Sequence, residues 1–414
     1  MKLSREPVVY VEKENIMKFR TGKGEISLTV MLGIWSIAAL TSLPGLAVSP
    51  IMGDLSKIFP KVSELEIQML TSLPSLLIIP SILFAGKIAE RAGYTKVLFV
   101  GLLLFFVSGV LYLFSNNVTA LILISALLGI GAGMIIPLST ALISRFFTGS
   151  YRTRQFGYVS AISNLTLVVA TALTGYLADI SWKLPFIVYL LPIVSLILLP
   201  QISREEGSDY ATTNNEKSTG NHVNSRDSIN TGALLSNMWY YFLITYIVLV
   251  ISLNLPFLLE SYGYRSESSG VLISLFFLAI MLPGFFIAFF KRYFGGSVRF
   301  SSLVIIGAGL AMLLAFHSFA TMAIGCLVAG LGYGIAQPLI YDSTVSTTST
   351  SRASYALAWV MVMNYVAILL TPFIIDFIQT MFHTKSQQFP FILNMIIAFA
   401  TALFYLFAAR RERG

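Results

Sequence analysis

Two carboxylates stand where an apolar chain can least accommodate them. Asp342 lies four residues after Pro338 in a long hydrophobic run, and Glu260 ends another such run. An ionisable group is costly in lipid, so a carboxylate held there is a functional candidate. It can hold a proton in one state of a site and a ligand in another, provided the site opens alternately to two sides of a membrane. For Asp342 a second reading stays open. A helix rises only about 1.5 Å per residue, so it also fits a capping or snorkelling side chain near the membrane surface. Asp54, Asp179 and Asp376 fall near the ends of apolar runs and read as interfacial.

Around these acids the runs carry amides and aromatics able to line a cavity: Trp35, Tyr158, Asn164, Asn254, Tyr333, Gln337, Tyr341, Trp359, Asn364 and Tyr365. Each also has a structural reading, an interhelical hydrogen bond for an amide or core packing for a ring. Together they describe a cavity with few fixed charges, suited to an amphipathic organic molecule rather than a polyanion. His222, His317 and His383 are scattered, and Cys326 is the single cysteine. That leaves no thiolate cluster, His pair, nucleotide loop or nucleophile constellation, and so no metal, no cofactor and no enzyme is expected.

The elements that must position these groups are membrane helices. Hydrophobic residues make up 56% of the 414 and charged ones 11%, with mean hydropathy +0.80. No soluble core hides so much apolar surface, and the runs approach the roughly 20 residues that span a bilayer. Twelve spans are expected, over 27–50, 65–86, 96–115, 118–144, 154–178, 184–200, 234–259, 268–290, 300–317, 319–345, 354–378 and 387–409. They are too long and too continuously apolar for barrel strands. The lipid bilayer is therefore the expected partner, and the net charge of +8 belongs to loops rather than to a nucleic-acid face.

Of the 27 Lys and Arg, 22 fall on the side of the spans that holds both termini, and five (Lys57, Lys61, Lys183, Arg265, Lys385) on the other. The basic excess predicts that both termini are cytoplasmic in a multi-pass protein of the cell membrane. Residues 1–26 read as a cytoplasmic tail with no removable signal, and 410–414 as a second short tail. The stretch 201–233, rich in Asn, Ser and Thr, reads as a flexible cytoplasmic linker between six-helix bundles over 27–200 and 234–409.

The two halves repeat each other. Gly129, Gly131 and Gly133 precede Pro137, and 201 residues later Gly330, Gly332 and Gly334 precede Pro338 at the same offsets. Duplicated halves in a hydrophobic chain mark secondary transporters, which bind substrate where the halves meet. The glycines read as sites of close helix packing. After the second span, Gly86-Lys-Ile-Ala-Glu90-Arg91-Ala-Gly93 forms a charged turn. Gly86 would let helices approach, Glu90 and Arg91 would dock across the interface, and Gly93 would permit the turn.

That turn resembles the cytoplasmic-loop motif of the major facilitator superfamily, and the resemblance extends over the whole chain. Gly129 to Leu138 resembles the superfamily's fourth-helix motif. Gly157 to Gly175, with Ser181-Trp182-Lys183 and Phe186, partly resembles the antiporter-motif region of its drug exporters. Ser125 stands where those exporters usually carry an arginine, and Thr171, Ala172 and Thr174 stand near their missing glycines and proline. Tyr94 and Thr95 replace part of the basic cluster, and Lys291-Arg292-Tyr-Phe-Gly295-Gly296 keeps a basic pair and glycines in the second half. The resemblance implies an all-α, twelve-helix transporter of a small-molecule substrate, working by alternating access as a monomer. Proton-coupled export of a drug or metabolite is the leading expectation. An importer or uniporter of an organic anion or other metabolite is the alternative, which basic side chains in the cavity would favour. If Asp342 carries the proton, Asp342→Asn abolishes pH-driven transport in liposomes and leaves folding intact; unchanged coupled transport removes it from the mechanism.

Overall fold

A computed structural model describes residues 18–22, 24–213, 230–294, 297–315, 318–347 and 353–411. The tails beyond these limits, the middle of the linker, Gly295, Gly296, His222, His317 and Arg352 lie outside the described residues. Eleven helices among those described are long and apolar enough to cross a membrane. The first half of the chain holds α1 (Leu28–Leu40), α2 (Met52–Ile58), α3 (Glu64–Ala92), α4 (Tyr94–Phe114), α5 (Val118–Phe146), α6 (Gly149–Ile180) and α7 (Pro192–Thr213). The second holds α8 (Thr231–Ser261), α9 (Ser266–Phe285), α10 (Ile287–Phe294), α11 (Val298–Ala315), α12 (Phe319–Ser346), α13 (Ala353–Met381) and α14 (Phe389–Arg411).

The expected span 268–290 breaks after α9, whose last turn holds Pro283, and three further segments depart from the sequence expectation. The first expected span, 27–50, is not one helix: α1 stops after 13 residues and the chain resumes helical structure at a 3-10 turn over Ser49–Ile51. Pro44 has no N–H to continue the ladder, and Gly45 takes φ +81° so close to α3 that an added Cβ would meet the Thr71 carbonyl oxygen at 2.2 Å. The broken end is tied to α6 instead, where Ser42 Oγ donates to the Ser163 carbonyl at 2.6 Å and Thr174 Oγ1 to that of Ala47 at 2.8 Å. Secondly, α7 runs on to Thr213, inside the stretch expected to be linker. No proline follows Pro200 there to stop it, and Arg204 and Glu205 are good helix formers. Thirdly, the tail read over 1–26 ends in a hairpin, β1 (Lys18–Arg20) against antiparallel β2 (Glu25–Ser27), turned by Gly22 at φ +87°. Thr148 N–H donates to the Thr21 carbonyl at 3.0 Å, which pins the hairpin to the start of α6.

Within each half the glycine triplets set the helix spacing. A Cβ on Gly129 would lie 2.4 Å from the Pro74 carbonyl oxygen of α3, one on Gly133 2.8 Å from that of Ile78, and one on Gly131 2.8 Å from the Gly101 oxygen of α4. The second half repeats the arrangement. Gly330 and Gly334 meet the Phe276 and Ile280 oxygens of α9 at 2.4 Å each, and Gly332 the Ser302 oxygen of α11 at 2.9 Å. With no side chain between them the backbones pack directly, the small-residue solution that membrane helices use where water supplies no drive to associate.

Gly86 is different. An added Cβ there meets nothing within 4 Å, so the close helix approach read for it from the sequence is absent in this structure. It lies near the α3 terminus, where the neighbouring helices leave open space. Gly93 turns the chain between α3 and α4 at φ +96°, beyond the range a side chain readily adopts. Arg91 is exposed, and Arg145 stacks over the Tyr94 ring at 4.1 Å. The side chain of Glu90, read from the sequence as docking across the interface, lies outside the described residues. Gly330→Leu is expected to lower stability by about 1–3 kcal/mol through overpacking, read as a lower melting temperature in detergent, whereas Gly86→Ala leaves the melt unchanged.

Candidate functional site

The helices before the linker pack chiefly on one another, as do those after it, and the two sets meet mainly through α6 with α9, α3 with α13, and the α1 to α2 connection with α8 and α9. Polar contacts between the sets gather at the far end, the one that carries Lys57, Lys183 and Arg265. Ser56 Oγ donates to Glu260 at 2.8 Å, with Lys57 Nζ at 3.9 Å from the same carboxylate. Arg265 pairs with Asp179 at 3.0 Å, Gln387 Nε2 donates to Glu64 at 2.6 Å, and Ser266 donates to Asp54. Backbones close the same end: a Cβ on Gly175 would meet Gly270 Cα at 2.8 Å, and one on Gly53 the Pro256 oxygen at 2.8 Å. Four carboxylates thus accept bonds across this seam.

Behind the seam lies a cavity of about 560 Å³ lined from both halves. The first half offers small and aliphatic side chains, among them Thr41, Ser42, Ile136, Pro137, Thr140 and Asn164. The second half offers hydroxyls and amides in two hydrogen-bonded groups. In one, Thr245 Oγ1 and the Tyr333 hydroxyl both donate to Asn364 Oδ1, at 3.2 and 3.3 Å. In the other, Gln337 Nε2 donates to the Tyr241 hydroxyl at 2.8 Å, which lies 2.9 Å from that of Tyr341. Stacking of Tyr241 on Tyr333, with centroids 6.4 Å apart, joins them. No Asp, Glu, Lys, Arg or His lines this cavity among the described residues.

Of the aromatics and amides singled out in the sequence, Asn164, Tyr333, Gln337, Tyr341, Asn364 and Tyr365 come together here. Trp35 and Tyr158 do not line it; they meet edge to face at 6.1 Å, and Trp35 Nε1 donates to Gln155 at 3.1 Å. Asn254 is buried away from the cavity, its Oδ1 without a hydrogen-bond partner among the described residues, and Trp359 is exposed outside the lining. Asp342 is exposed beside Tyr341 and is not part of the lining, and Glu260 belongs to the far-end seam. Tyr241, Thr245 and Ser252 also line the cavity, and the sequence reading missed them. Their spacing of four and seven residues, one face of α8 inside an apolar span, is the signal that would have found them.

Removing far-end bonds should loosen the seam. Arg265 is 71% exposed, so its pair is worth about 0.5–1 kcal/mol at most after solvent screening. With spin labels at Lys61 and Lys385, exposed residues of opposite halves, the double variant Glu260→Gln, Arg265→Ala is expected to raise the long-distance population roughly two- to fivefold.

Comparison with known proteins agrees with this architecture. The quinolone resistance protein NorA of Staphylococcus aureus is 32% identical over 103 residues, 25% of this chain and 26% of that protein. The multidrug transporter protein MdtP of Bacillus subtilis is 32% identical over 150 residues, 36% of this chain and 27% of that protein. These matches therefore span about a quarter of the length of either relative. Among solved structures, the peptide transporter POT in complex with sulfate superposes with a TM-score of 0.70 at 13% identity, over 93% of this chain and 95% of that one. The nucleoside transporter NupG does so with a TM-score of 0.69 at 12% identity, over 91% and 99%. At such identities the likeness is one of fold. The model of the Major Facilitator Superfamily matches residues 30–372 and 238–414, and the chain belongs to that superfamily, with the apolar helices of a multi-pass membrane protein.

Proposed function

We propose that this chain is a secondary active transporter that exports a small amphipathic organic compound, a drug or metabolite, across the cell membrane in exchange for protons. The carrying observation is the uncharged, largely apolar cavity that lies between the two halves behind a far end closed by cross-half bonds. In this reading the far end faces outward, as the basic excess on the other side predicts, and the halves over 27–200 and 234–409 rock about the cavity. The stretches matching NorA and MdtP support a drug-like substrate. An organic anion fits less well, because no basic side chain lines the cavity among the described residues.

Proton coupling must then reside outside the cavity lining. Asp342, one residue beyond Tyr341, and Glu260, in the seam, are the candidates, and each would act on the motion of the halves rather than on the bound compound. The test reconstitutes the purified protein in liposomes holding a pH dye, imposes a membrane potential, and adds amphipathic cations, neutral compounds and organic anions in turn. Proton movement opposite to the substrate is the expected outcome. Substrate flux with no proton signal would overturn exchange and leave a facilitator.

A further inference from the structure

The cavity wall from the second half has more hydrogen-bonding capacity than it uses. Asn364 Oδ1 accepts from both Thr245 and Tyr333, which occupies the hydrogens of those two hydroxyls, while its amide N–H groups have no partner among the described residues. Gln337 spends its amide nitrogen on Tyr241 and, at 3.5 Å, on Tyr341, and its Oε1 has no donor among them. Both residues are half-buried and line the cavity, and neither unused atom is among the buried polar atoms that lack a partner. The unused ends therefore open on the cavity. One wall so offers a fixed donor at Asn364 and a fixed acceptor at Gln337, each oriented by tyrosine hydroxyls.

The remaining lining restricts what can meet them. Rings of Phe276, Phe277 and Tyr365 and the aliphatic side chains of Leu46, Ile82 and Ile136 favour a flat apolar body. A full charge would lose water without gaining a counter-charge, which cation–π attraction to tyrosine only partly offsets. We propose that the cavity recognises flat, uncharged molecules carrying one hydrogen-bond acceptor and one donor, read by the Asn364 amide and the Gln337 carbonyl. This deepens the transport reading above by naming the class of compound, but binding itself needs no coupling ion.

Acridone is a suitable probe, neutral and planar with a carbonyl and a ring N–H. N-methylacridone has lost the donor, and N-methylacridinium carries a fixed charge and lacks both groups. Their affinities for the full-length protein in lipid nanodiscs are measured by fluorescence titration. Wild type is expected to bind acridone about tenfold tighter than N-methylacridone, the scale of one hydrogen bond at a partly desolvated site, with N-methylacridinium weakest. Gln337→Met should bind acridone and N-methylacridone alike, and Asn364→Leu should weaken both by a similar factor. The ratio of the two ligands within one variant is insensitive to the fraction of protein that is folded. Equal binding of the pair by wild type, a preference that survives Gln337→Met, or tightest binding of the cation overturns the proposal. Acridone export from proteoliposomes is read separately: binding with the expected pattern but without export leaves this recognition standing and removes the export reading.

Discussion

Backbone-to-backbone contact at the glycine triplets is the constraint from which the cavity follows. Gly129 and Gly133 press α5 onto α3, and Gly330 and Gly334 press α12 onto α9, at distances a single methyl group would prevent. Beyond the last glycine of each triplet, the residues three and seven positions on continue the same helix face. In the first half these are Ile136 and Thr140, and in the second Gln337 and Tyr341; all four line the cavity. The face that is in contact at the glycines is thus released to the cavity one and two turns later. Both halves use this geometry, with different chemistry: an aliphatic and a small hydroxyl side chain on one side, an amide and a phenol on the other.

That division makes the cavity asymmetric although the scaffold repeats. Duplication preserved the backbone positions, since glycine and proline recur at fixed offsets, but not the lining side chains. The polar groups of the second half are also tied to one another across helices. Thr245 on α8 and Tyr333 on α12 both donate to Asn364 on α13, so three helices share one network. Such a network costs little only while its members stay satisfied, which favours movement of the second-half wall as a unit.

Much of this was legible in the sequence because glycine spacing and hydropathy act locally. The triplets, the apolar runs and the amides Asn164, Gln337 and Asn364 all follow from residue type and position along the chain. Facing is another matter. Tyr158 has the same side chain as Tyr333 and Tyr365, yet it packs on Trp35 near Gln155 while the latter two line the cavity. Rotation of a helix about its axis decides between those outcomes, and in a span apolar on all sides no amphipathic stripe marks the rotation. Tyr241 and Thr245 were different: with Ser252 they do share one face of α8, a polar spacing that was legible and was passed over. The break in the first span was hidden for a different reason: Pro44 and Gly45 are visible, but the Thr71 carbonyl that Gly45 must approach is 26 residues away.

The distribution of charge bears on how any ion gradient would drive this chain. Carboxylates at the far end accept bonds from the opposite half, whereas the cavity lining has none among the described residues. A proton and a substrate that shared one carboxylate would compete directly for it. Here direct competition has no group to act through, so a coupled cycle requires that protonation change the relative stability of two conformations instead. A bond that exists in one conformation and not the other is the necessary ingredient, because a group bound equally in both shifts nothing. The Ser56 to Glu260 bond satisfies that requirement in form, since it joins the two halves and can exist only while the far end is closed. By itself, however, protonation there would weaken closure, and would hold a proton-loaded carrier open at the far end rather than return it. A complete exchange cycle therefore needs a second protonation site with the opposite conformational preference, away from the seam; under the exchange reading Asp342, exposed on α12 next to a tyrosine of the cavity wall, is the carboxylate to test for that part.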